Sequence, residues 1–237
     1  MPEPATLAAH ASHALGVLFT PGGETLLSCG MDALVRLWSA GSWEETGTLS
    51  GHQNSVNSLS LSKDGRTLVT GSSDGAVKVW DLKNRQELRT IAAHKKTVSA
   101  AKLSPRKDVI ASASYDSKVK LWEAASGAEI ATLKGHPKNV SCLAFTADGG
   151  TLASGGVGDP ILLWSVPDGE RTGELTGHKG AVMALALSPD GSRLASSGYE
   201  GTVRLWNTAA WSEVRSLDVK AKGQFPLAFS PDGQLLA

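Results

Sequence analysis

Residues 51–81 contain a histidine, a hydroxyl and a carboxylate, His52, Thr70 and Asp74, followed by Trp80. Those three side-chain types can do hydrolytic chemistry: an imidazole takes the hydroxyl proton, a carboxylate orients the imidazole, and the oxygen attacks a carbonyl. A catalytic constellation is needed once, so recurrence decides the matter. Here the set repeats at a 42-residue step: His10, Ser28, Asp32 and Trp38; His52, Thr70, Asp74 and Trp80; His94, Ser112, Asp116 and Trp122. A fourth set reads His136, Ser154 and Trp164, with Gly158 at the acidic position and Asp159 displaced by one; a fifth reads His178, Ser196, Glu200 and Trp206. A group present in every repeat is scaffold chemistry. A buried imidazole between a carboxylate and a hydroxyl satisfies both ring nitrogens, and an indole N–H also needs an acceptor.

No other constellation competes. The chain lacks HExxH, GxSxG, a phosphate-cradling glycine loop and any Cys/His metal spacing, and the remaining histidine, His13, stands alone in a loop. The expectation is no catalytic residue, no metal and no cofactor.

The elements that position these residues are short. In the second repeat VNSLSLS, TLVTGS, AVKVWD and ELRTI alternate apolar with small or polar residues, separated by the turn segments KDG, SSDG and LKNRQ. That is four strands per repeat. A lone four-stranded sheet has two open edges and an apolar face it cannot cover. Packing such sheets radially buries the faces, so the fold expected is an all-β β-propeller of four-stranded antiparallel blades.

The GH pair, the Asp-turn-Trp segment and the 42-residue period resemble the WD40 repeat family, with five complete repeats and a partial sixth. The resemblance implies that each His, Ser/Thr, Asp and Trp set is a hydrogen-bond network within one blade. The departures from the repeat carry their own expectations. GVGDP, with Asp159 displaced by one and Pro160 where the third strand begins, is expected to have altered turn geometry and a weakened network, and the longer Glu200 to bond less well than Asp. Both are either tolerated drift or a surface reshaped for a partner. ATLAAH aligns with RTIAAH and reads as a fourth strand placed first, while FPLAFSPDGQLLA ends inside the second strand of a sixth unit, where Lys220 replaces the expected histidine. The reading is one propeller domain over residues 1–237, incomplete as given, closed by further residues or another chain. From the 42-residue period, six blades need about a dozen residues more and seven about 55.

Composition bounds the partners. Lys+Arg 23 balances Asp+Glu 23, which argues against a nucleic-acid-coating role. No apolar run approaches the roughly 18 residues of a membrane span. The N-terminus MPEPATLAAH lacks the basic start of a secretory signal, and Cys29 and Cys142 read as buried free thiols of a reducing compartment, so a cytoplasmic protein is expected.

Function is then expected on loops at the ends of the blades. The resemblance brings the residue before each acid, including Tyr115 and Tyr199, to the same end as the loops after each His, which carry Lys95, Lys96, Lys138 and Lys179. The tyrosines either cover neighbouring loops or anchor a partner; the lysines are either solvated surface or a steering rim for acidic segments. Trp43 and Trp211, four repeats apart in the third-to-fourth strand turn, either pack locally or anchor a partner. The reading favoured is a non-catalytic protein–protein interaction scaffold. The alternatives are a sensor or targeting module of a larger protein, or an enzyme or small-molecule binder using a central channel.

Overall fold

In the computed structural model, which describes residues 6–106, 108–158, 160–219, 223 and 225–237, twenty strands form five four-stranded antiparallel sheets, the blades of a β-propeller. The first blade holds β1 (Ala14–Phe19), β2 (Thr25–Gly30), β3 (Val35–Ser39) and β4 (Glu45–Leu49). The second holds β5 (Val56–Leu61), β6 (Thr67–Ser72), β7 (Val77–Asp81) and β8 (Gln86–Ile91). The third holds β9 (Val98–Leu103), β10 (Val109–Ser114), β11 (Val119–Glu123) and β12 (Glu129–Leu133). The fourth holds β13 (Val140–Phe145), β14 (Thr151–Gly156), β15 (Ile161–Ser165) and β16 (Arg171–Leu175). The fifth holds β17 (Val182–Leu187), β18 (Arg193–Gly198), β19 (Thr202–Asn207) and β20 (Ser212–Asp218). The chain divides into two compact units, Met1–Ala101 and Lys102–Ala237.

Turn chemistry sets these boundaries. Between β5 and β6, Ser62 donates its hydroxyl to Asp64 at 2.6 Å and accepts from Thr67 N–H at 2.9 Å, while Gly65 takes φ +71°. Only glycine enters that left-handed region without strain, so a Ser/Thr-x-Asp-Gly sequence reverses the chain in a fixed register. The same device recurs at Thr146–Gly149, Ser188–Gly191 and Ser230–Gly233, where Gly149, Gly191 and Gly233 take φ 70°, 73° and 71°.

The sequence repeat and the blade are out of step by one strand. Each GH pair lies between the fourth strand of one blade and the first strand of the next, so His52 follows β4 and precedes β5. Within Met1–Ala101, β5 packs against β1 and β2, and the Ser58 hydroxyl accepts from Ala101 N–H at 2.9 Å. Asn57 Nδ2 donates to Val98 O at 2.9 Å, so polar groups as well as side-chain packing join the second blade to the strand that follows it. Within Lys102–Ala237, β13 packs against β10 and β17, and β17 also meets β14. The core there includes Cys142, Ile161, Leu163, Leu175, Val182 and Trp206.

Two expectations are corrected. Residues 6–10 of the ATLAAH segment are not strand, because a strand exists only through a backbone-paired neighbour and none of the described residues pairs with them. The C-terminal segment is paired less than its alignment suggests: Phe229 and Leu236 form one isolated antiparallel bridge around the Ser230–Gly233 turn. Lys220 lies outside the described residues.

Blade-to-blade contact requires small residues on the second strand. A Cβ placed on Gly155 would stand 2.7 Å from Val182 Cγ1 and 3.1 Å from Cys142 Sγ. Both neighbours are buried, so neither can swing away. Gly155→Ala is therefore expected to lower the unfolding free energy by about 1–3 kcal/mol. The check is a lower urea midpoint at unchanged m value; an unchanged midpoint would show that the two sheets can part without loss.

Candidate functional site

The repeated set forms a hydrogen-bond network within the blades. In the second blade, His52 Nδ1 lies 2.9 Å from Asp74 Oδ2 and His52 Nε2 lies 2.8 Å from Thr70 Oγ1, while Trp80 Nε1–H donates to the same Oγ1 at 2.9 Å. In the first blade His10 lies 2.8 Å from Asp32 and 2.9 Å from Ser28, and Trp38 donates to Ser28 at 2.9 Å. In the fifth, His178 lies 2.6 Å from Glu200 and 2.7 Å from Ser196, which accepts from Trp206 at 2.8 Å. In the third, Trp122 donates to Ser112 at 2.8 Å; the turn residue Asp116 accepts from Lys118 N–H at 3.1 Å, and His94 follows β8.

The proton order follows from the carboxylate. Ionised Asp74 can only accept, so His52 Nδ1 donates and Nε2 accepts the Thr70 hydroxyl proton. This is the bonding order of a catalytic triad, but the oxygen is spent. Its lone pair takes an indole N–H, and Thr70, Ser112, Ser154 and Ser196 are all 0 % exposed. A nucleophile needs an open face toward its substrate. These hydroxyls have none.

The electrostatics fit a structural network. Burial pushes Asp74 up, but the backbone N–H groups of Gln53 and Ala76, together with His52, outweigh it and hold the carboxyl below its ordinary value. Burial likewise opposes Glu200, yet Thr202 and His178 bring it down to about 2. The longer Glu200 thus keeps its bond to His178. The extra methylene still lets one oxygen reach His178, and that oxygen also meets Thr202 and the Lys179 N–H. The cost falls on the other oxygen, Oε2, which is buried without a partner.

The fourth blade keeps the hydroxyl bonds: His136 lies 2.7 Å from Ser154, and Trp164 donates to Ser154 at 2.8 Å. Its turn is reshaped. The left-handed residue is Gly158 at φ +93°, one position earlier than Ala33, Gly75, Ser117 and Gly201 in the other blades, and β15 begins directly after Pro160. Asp159 lies outside the described residues. Burial, with a smaller push from Arg171, lowers His136 to about 4, so its imidazole is neutral at pH 7. The thiols of Cys29 and Cys142 are buried and free, and burial pushes both up to about 12, which leaves them unreactive.

A second repeated feature escapes the motif reading because it joins residues nine apart. Arg36–Glu45 at 2.8 Å, Lys78–Glu87 at 2.7 Å, Lys120–Glu129 at 2.8 Å and Arg204–Glu213 bridge the third and fourth strands of their blades. Lys78 and Lys120 also lie 5.9 and 5.1 Å from the ring centres of Trp80 and Trp122. The fourth blade replaces the cation with buried Leu162. A 42-residue charge count could have found these pairs in the sequence.

In the first, second, fourth and fifth blades the loop end is built by one backbone bond. The residue before the acidic position donates its N–H to the loop after the histidine: Met31 to His13 at 3.0 Å, Ser73 to Ser55 at 2.9 Å, Val157 to Asn139 at 2.8 Å and Tyr199 to Ala181 at 2.8 Å. Tyr199, 54 % exposed, therefore stands beside the loop of exposed Lys179, and Val157 beside that of exposed Lys138. Tyr115 is 41 % exposed, and Lys95 and Lys96 are exposed on the loop after His94. Among the described residues none of these four lysines has an ion pair. Trp43 and Trp211 sit at the opposite end, with left-handed φ of 59° and 48°. Trp43 is exposed, whereas Trp211 is partly buried against the Cys142–Trp206 core, a packing role.

The neutral state of His136 has a consequence for stability. An unfolded histidine titrates near 6.5 and the folded one near 4, so protonation favours unfolding; stability is full above about pH 6.5 and falls as pH drops toward 4. The loss is on the order of 3 kcal/mol. His136→Gln is expected to flatten the dependence of urea unfolding on pH between 6.5 and 4; an unchanged slope would remove His136 as its source.

The family profile described as "WD domain, G-beta repeat" matches residues 2–39, 43–81, 85–123, 127–162 and 169–207. The second, third and fifth matched segments run from the turn before a fourth strand through the first three strands of the next blade, the same one-strand offset seen in the fold, and the fourth stops at the start of β15. No individual curated protein matches the chain. With the family profile covering most of its length and the His–Ser/Thr–Trp network present in its blades, the chain belongs to the WD40 repeat family.

Proposed function

We propose that the chain is a non-catalytic protein–protein interaction scaffold whose loop end recruits partners bearing acidic segments. Membership of the WD40 family and the presence of rigid four-stranded blades support the general role of an interaction scaffold. The observation that favours the loop end is the pairing of Tyr199 with the Lys179 loop through a backbone bond. It presents an aromatic face and an unpaired cation on a turn whose strands are held by the His178–Ser196–Trp206 bonds beneath. Rigid aromatic groups lose little entropy on binding, and unpaired lysines raise the encounter rate with acidic chains.

Val157 beside the Lys138 loop is the fourth blade's version of the same arrangement; exposed Tyr115 in Lys102–Ala237 and, separately, exposed Lys95 and Lys96 in Met1–Ala101 are further candidates. No helix among the described residues is long and apolar enough to cross a membrane. Two buried free thiols fit a reducing compartment, and we place the protein in the cytoplasm on that ground.

The test is affinity capture from host lysate with the wild type, Tyr199→Ala and Lys138→Glu/Lys179→Glu chains, followed by binding kinetics on the protein recovered. Tyr199→Ala is expected to weaken binding by about 1–2 kcal/mol, as for an interface aromatic. The charge-reversed pair is expected to slow association by about tenfold at low salt, with the difference vanishing at high salt. A partner bound equally by all three chains would move the interface away from this end. Recovery of no partner at all would count against the scaffold reading itself.

A further inference from the structure

A repeat protein contains its own controls: a residue required by the fold recurs at every repeat, and one that does not recur is free for another purpose. At the end of the second blade opposite its histidine loop, the β5–β6 turn and the β7–β8 turn enclose a groove of about 260 Å³ lined by Arg66, Thr67, Asp81, Lys83 and Leu88. Leu88 is 56 % exposed, and Arg66 and Lys83 are exposed and form no ion pair among the described residues.

The fold does not call for those cations. The positions equivalent to Arg66 hold Glu24, Asp108, Gly150 and Ser192, and those equivalent to Lys83 hold Gly41, Ala125, Pro167 and Ala209. Their turns close through backbone bonds and the Ser/Thr–Asp pair, which neither cation enters through its side chain. Leu88 faces solvent on the outer strand β8, where the third and fifth blades also expose an aliphatic side chain, Ile130 and Val214, and the first and fourth use Thr46 and Thr172; the two cations beside it are what set the second blade apart.

We propose that this groove is a second docking site, independent of the loop end, for an acidic–aliphatic peptide segment of a protein partner. A partner carboxylate meets Arg66 and Lys83 while an adjacent aliphatic side chain covers Leu88. The one acidic group lining the groove, Asp81, stays ionised, with Asn84 donating to it through its backbone N–H at 2.9 Å and its side-chain amide at 2.8 Å and with Lys83 attracting it. The lining therefore holds two cations against one carboxylate and keeps a net positive charge. The volume is below the roughly 300–1,000 Å³ of pockets that enclose small-molecule ligands, and it suits one or two side chains of an extended chain. Two cations beside a leucine are too few for the run of phosphate contacts that drives nucleic-acid binding.

The test is an NMR titration of the full isotope-labelled chain with a capped peptide alternating leucine and aspartate, alongside the same peptide with asparagine for aspartate. Amide shifts centred on residues 66–67 and 81–88 are expected with the acidic peptide, and at least fivefold weaker binding with the asparagine peptide. Arg66→Ser/Lys83→Ala is expected to weaken the acidic peptide at least fivefold. It takes the residues that the fifth blade already uses at these positions, so the turns still form. Leu88→Thr, the residue of the first and fourth blades, is expected to weaken both peptides. Equal binding of the two peptides, equal binding by the double variant, or shifts confined to Tyr199 and the Lys179 loop would each overturn the second site. The last of these would leave the loop-end reading standing.

Discussion

The structure depends on one buried oxygen per blade that receives two partners. The hydroxyl of Ser28, Thr70, Ser154 or Ser196 accepts an indole N–H from the third strand and gives its proton to an imidazole that arrives from the linker preceding the blade. A serine hydroxyl buried alone would be unfavourable; with both partners in place, two strands and an entering loop are fixed around it. Because that loop comes directly from the fourth strand of the preceding blade, the bond also sets where each blade begins relative to the last. The Gly before the histidine belongs to the same constraint: a Cβ on Gly51 would meet Trp80 at 3.3 Å and Glu87 at 3.1 Å, and its φ of +152° is one that a side chain rarely adopts.

The fourth blade shows which parts of the network can be exchanged. It retains the imidazole–hydroxyl–indole chain through His136, Ser154 and Trp164, yet it moves the left-handed turn residue to Gly158 and places Leu162 where other blades hold a cation. Burial keeps His136 neutral, so the ring sits beside the hydroxyl without a desolvated charge. Asp74 and Glu200 make the converse case: each is held in its ionised form by N–H or O–H donors besides the histidine. Orienting the imidazole is the carboxylate's contribution; the shared hydroxyl is what the blade cannot lose.

Interior residues are therefore committed, and the chemistry left for partners lies on turns at the strand ends. At one end a recurring backbone bond sets the residue before the acid against the loop after the histidine, so whatever side chain stands there is presented on a fixed base. In the fifth blade that side chain is Tyr199. At the other end, comparison of equivalent positions separates what a turn needs, such as Asp64 and Gly65, from what it carries freely, such as Arg66 and Lys83.

Much of this was legible in the sequence, for a physical reason. Spacing of 42 residues among His, Ser/Thr, Asp and Trp cannot persist unless each unit solves the same local problem, so the period announces four strands per unit and marks the triad look-alike as scaffold. Turn residues with obligatory φ, such as Gly65 and Gly191, place the hairpins because their conformational demand is local. What only the tertiary structure decided concerns groups whose state depends on neighbours distant in sequence. Glu200 is longer than the aspartates, yet one of its oxygens reaches His178 at 2.6 Å while the other, Oε2, is buried with no partner among the described residues. Trp43 and Trp211 share one phase and one backbone conformation, yet Trp211 is partly buried on a core and Trp43 is open. Residues 6–10 have a strand-like sequence and no strand, because pairing is a property of two segments and the sequence of one does not supply the other.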